Sequence, residues 1–167
     1  MRPQPIYASL LGALLLTLQV AVGGAEVPVL RVDLSPSHLR ENTAHFEVFI
    51  KGEKVGWMRQ SLAKRQLEGE KVIAFETEFL QKLLNAGETI TMRSLDVEYF
   101  AAEPPYPFVA ATSLAQQNGF ESVTRIRRNV PGGNEFTAQI TSGKAERKKA
   151  IGTLDYTLGD SLAGVVW

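Results

Sequence analysis

Residues 108 to 130 read FVAATSLAQQNGFESVTRIRRNV. Two runs of strand-like sequence flank Asn118-Gly119, and this dipeptide favours a type I′ turn because both of its residues accept positive φ. The stretch therefore predicts an antiparallel β-hairpin, since a two-residue turn of this type matches the twist of the strands on either side.

The pattern extends outward in both directions along the chain. Residues 73–79 alternate between a hydrophobic side and a side that carries glutamates, and residues 135–140 alternate in the same way. From His45 onward, turn signals recur about every 8–14 residues, which is the spacing of an all-β domain. We therefore predict an all-β fold: an antiparallel curved sheet of about seven or eight strands, arranged as a meander, half-barrel or sandwich, with a short C-terminal helix.

Two segments leave the local structure open. Residues 79–84 also fit a helical spacing, and we favour a strand there because both neighbouring segments are strands. Ile90 and Met92 alternate in one phase, whereas Leu95 and Val97 fall in the other. A change of phase within one strand predicts a β-bulge and a bend in the sheet at this point.

The N-terminus has the form of a targeting segment. Residues 10–22 are mostly apolar, but this run is too short for a bilayer span, which needs about 20 residues. Gly23 and Ala25 are the small residues expected before a cleavage site. We predict a signal peptide over residues 1–25 and export to a bacterial periplasm, with no membrane span left after cleavage; the alternative is an uncleaved anchor.

The remaining chain divides into an extended lead-in over residues 26–44 and a β domain over residues 45–167. Residues 157–163 have the pattern of a short capped helix, with Thr157 or Asp160 as the N-cap. The four residues after this helix are apolar, whereas the ends of a domain are normally polar. We therefore predict that the domain is truncated at its C-terminus.

Composition excludes several classes of function. The chain has no cysteine, so it holds no thiol nucleophile, disulfide, zinc–thiolate site or iron–sulfur cluster. Its 18 basic and 18 acidic residues balance, which argues against a nucleic-acid partner. With two histidines and no ligand spacing, we predict no metal site and no cofactor.

Charged residues offer little support for catalysis. Asp96 and Glu98 lie on one face of a predicted strand and are the best acid–base pair available, but we expect that face to be solvated. The basic clusters within residues 125–128 and 144–149 are interpreted as solvated strand faces rather than as an anion site. No Gly-x-Ser-x-Gly motif positions a serine nucleophile, so we predict no catalytic residue.

Aromatic and aliphatic residues give the candidate contact sites. Trp57, Tyr99 and Tyr106 are candidates for a ligand groove, although aromatic residues in strands more often belong to the core. In the C-terminal segment, Leu158 and Leu162 share a helical face, and Trp167 follows them. These three residues are candidates for contact with the sheet or with another domain.

Several short segments together resemble the N-terminal, non-catalytic region of secreted bacterial transglutaminase-like superfamily proteins. They are FIKGEKVG at residues 49–56, YFAAEPPYPF at 99–108, YTLGDSLA at 156–163, and the terminal Trp167. The resemblance covers about residues 45–167. It implies a downstream papain-like domain with a Cys-His-Asp triad, and this chain contains no such cysteine.

Three functions follow from these observations. The resemblance favours a non-catalytic accessory domain that packs beside a downstream catalytic domain or an envelope protein. The alternative is a stand-alone periplasmic carrier whose curved sheet holds an apolar ligand. The third, an enzyme that works through carboxylates alone, has the least support because no acid–base pair stands out.

The targeting segment yields a direct prediction. We expect the exported protein to begin at Glu26, because cleavage after Ala25 removes the apolar run. N-terminal sequencing of the protein from an expressing bacterium checks this. A chain that still begins at Met1 in the membrane fraction would contradict it.

Overall fold

The computed structural model of the chain describes residues 39–85 and 87–163. The predicted signal peptide, most of the predicted lead-in and the last four residues lie outside them. The described residues form eight strands and one helix: β1 (Asn42–Ile50), β2 (Glu53–Leu67), β3 (Glu70–Asn85), β4 (Glu88–Ala101), β5 (Phe108–Gln117), β6 (Phe120–Arg128), β7 (Glu135–Ser142), β8 (Ala145–Thr153) and α1 (Leu158–Ala163).

The strands form one antiparallel meander sheet in the order β1 to β8, and the sheet does not close into a barrel. The predicted all-β class and the short C-terminal helix are confirmed. Residues 79–84 belong to β3 and are therefore strand, as favoured above. The first strand begins at Asn42, three residues before the predicted start of the β domain.

Tight turns join the strands where the sequence places them. Asn118 and Gly119 have φ values of 47° and 82°, so this turn has the positive φ angles of type I′. Lys51-Gly52 and Glu68-Gly69 have the same signs of φ and connect β1 to β2 and β2 to β3. Most neighbouring strands of the sheet are thus connected by short hairpin turns.

The bulge predicted near Met92 is wrong. Pairing between β3 and β4 runs without interruption from Val72 with Ala101 to Asn85 with Glu88. The apolar phase changes because β4 carries apolar residues on both faces of the sheet, so Met92 lies on one face and Leu95 on the other. The bulges observed in the described strands lie at Val48/Phe49, Tyr99/Phe100 and Phe136/Thr137.

One face of the sheet, here called the core face, carries the main hydrophobic cluster. Residues paired directly across neighbouring antiparallel strands share a face, so the register defines rows of side chains. Two such rows are Leu62, Phe75, Glu98, Ala111 and Ile126, and Lys64, Ile73, Phe100 and Phe108. The next row towards the far end is polar and contains Gln60, Thr77, Asp96, Ser113 and Thr124. The buried hydrophobic cluster of this face therefore lies at one end of the strands.

Helix α1 covers this hydrophobic end. Thr157 is its N-cap: the Thr157 amide donates to the Asp160 carboxylate at 2.8 Å, and the Asp160 amide lies 3.4 Å from the Thr157 hydroxyl. Leu158 is completely buried in a cluster with Phe100, Phe108 and Phe136. The helix is short, and its position depends on this burial rather than on its own propensity.

The opposite face has a smaller cluster of its own. Val72, Val109 and Ala110 are buried there, and Tyr99 packs against them. No helix among the described residues is long and apolar enough to cross a membrane.

At Gly56, β2 lies close against the backbone of β3. A Cβ atom at this position would lie 2.0 Å from the Leu80 carbonyl oxygen and 3.0 Å from the Gln81 Cα. Both atoms belong to the backbone of β3, which cannot retreat without disturbing the ladder with β2. Glycine is therefore required at position 56 because there is no room for a Cβ atom, and not because of its φ angle.

We expect Gly56→Ala to lower the free energy of unfolding by about 2–3 kcal/mol or more, because the new methyl group overlaps the β3 backbone. Urea denaturation followed by circular dichroism measures the change. Gly52→Asn is the matched control, since Gly52 has φ 83° with open space around it and asparagine tolerates that region. Equal stability of Gly56→Ala and the unchanged chain would contradict the close approach.

Candidate functional site

A cavity of about 670 Å³ lies at the end of the sheet where β2 turns into β3. We call it the β2–β3 pocket. Ile73 and Tyr106 are at most 3% exposed and form its floor on the core face, while Leu39 and Ala102 are half-buried at its sides. Val72 also borders the pocket, but its side chain is buried on the opposite face. Its volume falls within the range of about 300–1,000 Å³ that is usual for small-molecule sites.

The pocket exists because two neighbouring elements stop short of the β2–β3 hairpin. Pairing between β1 and β2 ends at Asn42 and Leu62, so the last residues of β2 have no β1 partner. The Glu41 carboxylate accepts a hydrogen bond of 3.0 Å from the Lys64 amide just beyond this point. On the other side, the connection between β4 and β5 places Ala102 and Tyr106 against the hairpin.

Tyr106 is held in place by the backbone. Its φ is 58°, which is uncommon for a residue with a side chain. Its amide donates to the Glu103 carbonyl at 2.8 Å, and its carbonyl accepts from the Leu158 amide at 3.1 Å. Because one end of α1 is bonded to Tyr106, the pocket floor and the helix are parts of one packed unit.

The rim of the pocket is cationic. Lys64 and Lys71 are exposed on the core face, with Gln66 paired to Lys71, whereas Arg65 pairs with Val72 and so lies on the opposite face. Lys64 pairs directly with Ile73 in the ladder, so its charge stands beside an apolar residue of the floor. Within residues 39–85 and 87–163, no carboxylate forms a salt bridge with Lys64, Arg65 or Lys71, and no acidic residue lines the pocket.

A second polar site lies under α1. The Ser161 hydroxyl donates to the Glu98 carboxylate at 2.5 Å, and the Tyr156 hydroxyl lies 3.5 Å from the same carboxylate. Burial raises the pKa of Glu98 above its usual value, and the charge of Asp96 raises it further, while the bond from Ser161 opposes the rise. Burial likewise raises the pKa of Tyr156.

The expectation that the face carrying Asp96 and Glu98 is solvated is wrong at Glu98. Glu98 pairs with Phe75 and Ala111, so it lies on the core face, at the boundary between the hydrophobic rows and the polar row. Strand alternation places it there, and the sequence alone does not reveal which face the helix covers. Glu98 anchors the helix through Ser161 instead of standing in open solvent.

This site has the character of a structural contact. Ser161 is only 7% exposed and donates to a carboxylate, and His45, the histidine among the described residues, lies in β1. The described part of the chain contains no group of three or more residues suited to bind a metal ion.

The structure separates the residues that the sequence analysis singled out. Tyr106, Leu158 and Leu162 come together in the hydrophobic cluster of the core face, and Tyr106 also lines the β2–β3 pocket. Trp167 lies outside the described residues. Leu158 is a core residue, since none of its surface is exposed.

The two other aromatic candidates lie elsewhere. Tyr99 packs in the cluster on the opposite face, and Trp57 is half-buried in β2, paired with Glu47 and Leu80.

The sequence analysis missed Lys64 and Lys71, which are far along the sequence from the basic clusters that it considered. What reveals them is the register across the turn at Glu68-Gly69: Lys64 pairs with Ile73 and Lys71 pairs with Gln66, so both lysines lie on one face.

No protein family model matches the chain, and no curated protein or solved structure matches it significantly. The resemblance to transglutaminase-like proteins therefore stays a prediction.

Ionisation of Glu98 provides a test of the contact under α1. Because its pKa is raised in the folded protein, the folded state binds the proton more tightly than the unfolded chain does. This contribution to stability is complete below the usual value of 4.5 and is lost as pH rises through the higher folded value. Asp160 does not interfere, because its hydrogen bonds with Thr157 lower its pKa below 3.8.

We therefore expect Glu98→Gln to gain stability relative to the unchanged chain as pH rises from about 4.5 to 7, because glutamine keeps the contacts without the buried charge. Urea unfolding at both pH values measures the difference. Glu135→Gln is the control, since Glu135 is exposed at the start of β7. A pH-independent difference between Glu98→Gln and the unchanged chain would contradict this account.

Proposed function

We propose that the chain is a binding module that holds a small ligand with an apolar body in the β2–β3 pocket. The observation that carries this proposal is the cavity of about 670 Å³ with a buried hydrophobic floor. It corresponds to the carrier alternative of the sequence analysis, with the ligand at the hairpin end of the sheet.

The construction of the floor supports the proposal. Ile73 lies near the start of β3, and both neighbouring strands pair with it, through Lys64 and Phe100. Tyr106 is fixed by its backbone bonds to Glu103 and Leu158. A floor built from such residues is formed before the ligand arrives, so little conformational entropy is lost on binding.

The position of α1 bears on the choice between the two leading functions. An accessory role beside another domain was motivated in part by the apolar face of this helix, and Leu158 and Leu162 pack instead on the chain's own sheet. The accessory role stays a prediction, and the pocket is the feature that favours binding.

A neutral fluorescent probe tests the proposal. We expect N-phenyl-1-naphthylamine to bind the full chain saturably and with enhanced emission, because it is apolar and fits a small cavity. Ala102→Trp places a large ring at the side of the pocket and should weaken binding at least tenfold. Ala145→Trp, on exposed β8, should bind like the unchanged chain.

The unfolding midpoints of both variants show whether each one is folded. No saturable binding by the unchanged chain, or equal binding by a folded Ala102→Trp variant, would overturn the proposal.

A further inference from the structure

We propose that the ligand of the β2–β3 pocket is an amphipathic anion, with its charged head group held by Lys64 and Lys71 and its apolar body on the floor. This inference rests on the proposed function and adds the chemical class of the ligand. A carboxylate and a phosphate monoester share the required chemistry.

The register brings the two lysines together. Lys71 pairs with Gln66, and Lys64 lies two residues before Gln66 on β2, so both lysines are on the core face. Such diagonal neighbours are about 7–8 Å apart at their Cα atoms, and flexible lysine side chains span this distance. The two ammonium groups are therefore able to contact one anion between them.

The surrounding charges leave this position positive. The Glu41 carboxylate accepts a hydrogen bond from the Lys64 backbone amide rather than from an ammonium group, and among the described residues no carboxylate forms a salt bridge with either lysine. Three arginines of the described strands are, in contrast, paired: Arg59 with Glu76 and Glu78, Arg93 with Glu78, and Arg127 with Glu68. Unpaired cations beside a cavity attract an anionic group of the ligand.

The geometry also orients the ligand. Lys64 stands opposite Ile73, and Ile73 is 3% exposed at the floor, so the polar and apolar parts of the site adjoin across one strand pair. An anion with an apolar tail satisfies both parts at once, whereas an uncharged apolar molecule leaves the lysines unused. A small inorganic anion leaves the floor without a partner.

Three probes with the same alkyl chain test the inference: laurate, dodecyl phosphate and dodecan-1-ol, each below its aggregation concentration at pH 8. Displacement of N-phenyl-1-naphthylamine from the full chain measures their affinities. We expect both anions to bind about tenfold more tightly than the alcohol, with a smaller advantage in 0.5 M NaCl. The stronger of the two anions identifies the head group that the lysines prefer.

The double variant Lys64→Gln/Lys71→Gln should lose most of the preference for anions while still binding dodecan-1-ol. The control Lys148→Gln/Lys149→Gln, on exposed β8, should retain the preference. Equal binding of all three probes, or a preference that survives in the Lys64/Lys71 variant, would overturn the inference while the proposed apolar site stands. Failure of all three probes and of the naphthylamine to bind would overturn the proposed function itself.

Discussion

The need to cover one hydrophobic face governs this molecule. A single open sheet buries little apolar surface by itself, and a stable domain requires a second layer against its apolar side. Here that cover is the C-terminal segment: Phe108 donates its amide to the Tyr156 carbonyl at 2.8 Å, and Leu158 returns a bond to Tyr106 at 3.1 Å. These two bonds place the Leu158 side chain into the cluster of Phe100, Phe108 and Phe136. The end of the chain is thus bonded to the middle of the chain, and the hydrophobic core depends on that contact.

The sequence predicts those parts of the fold that depend on residues close together in the chain, and not those that depend on tertiary packing. Turns such as Asn118-Gly119 and alternating runs such as residues 135–140 are local signals, and the hairpins they predict are present. The error at Met92 and Leu95 arose because alternation assumes one wet face, and both faces of β4 carry apolar residues. Position relative to the covering layer is a tertiary property, and for the same reason the face occupied by Glu98 was assigned wrongly.

The candidate site was less predictable than the fold. Tyr106 was singled out as an aromatic residue, but Lys64 and Lys71 look in the sequence like ordinary exposed lysines. Their significance depends on the early end of β1 pairing at Leu62 and on the bend that brings in Ala102. Neither feature has a periodic signal, because each results from where two strands stop rather than from what they contain.

The two polar sites differ in how the protein treats charge. Glu98 is buried beside Asp96 and carries a raised pKa, so its ionisation opposes the packing of α1. The lysines of the pocket lie at the surface in contact with water, so no free energy of desolvation is lost until a ligand binds.

Ile73 and Tyr106 belong to both the hydrophobic cluster and the pocket floor. A ligand that binds only the folded chain must then stabilise the same core that α1 covers, because binding to the native state shifts the unfolding equilibrium. Occupancy of the pocket and docking of the helix are therefore linked through the residues they share.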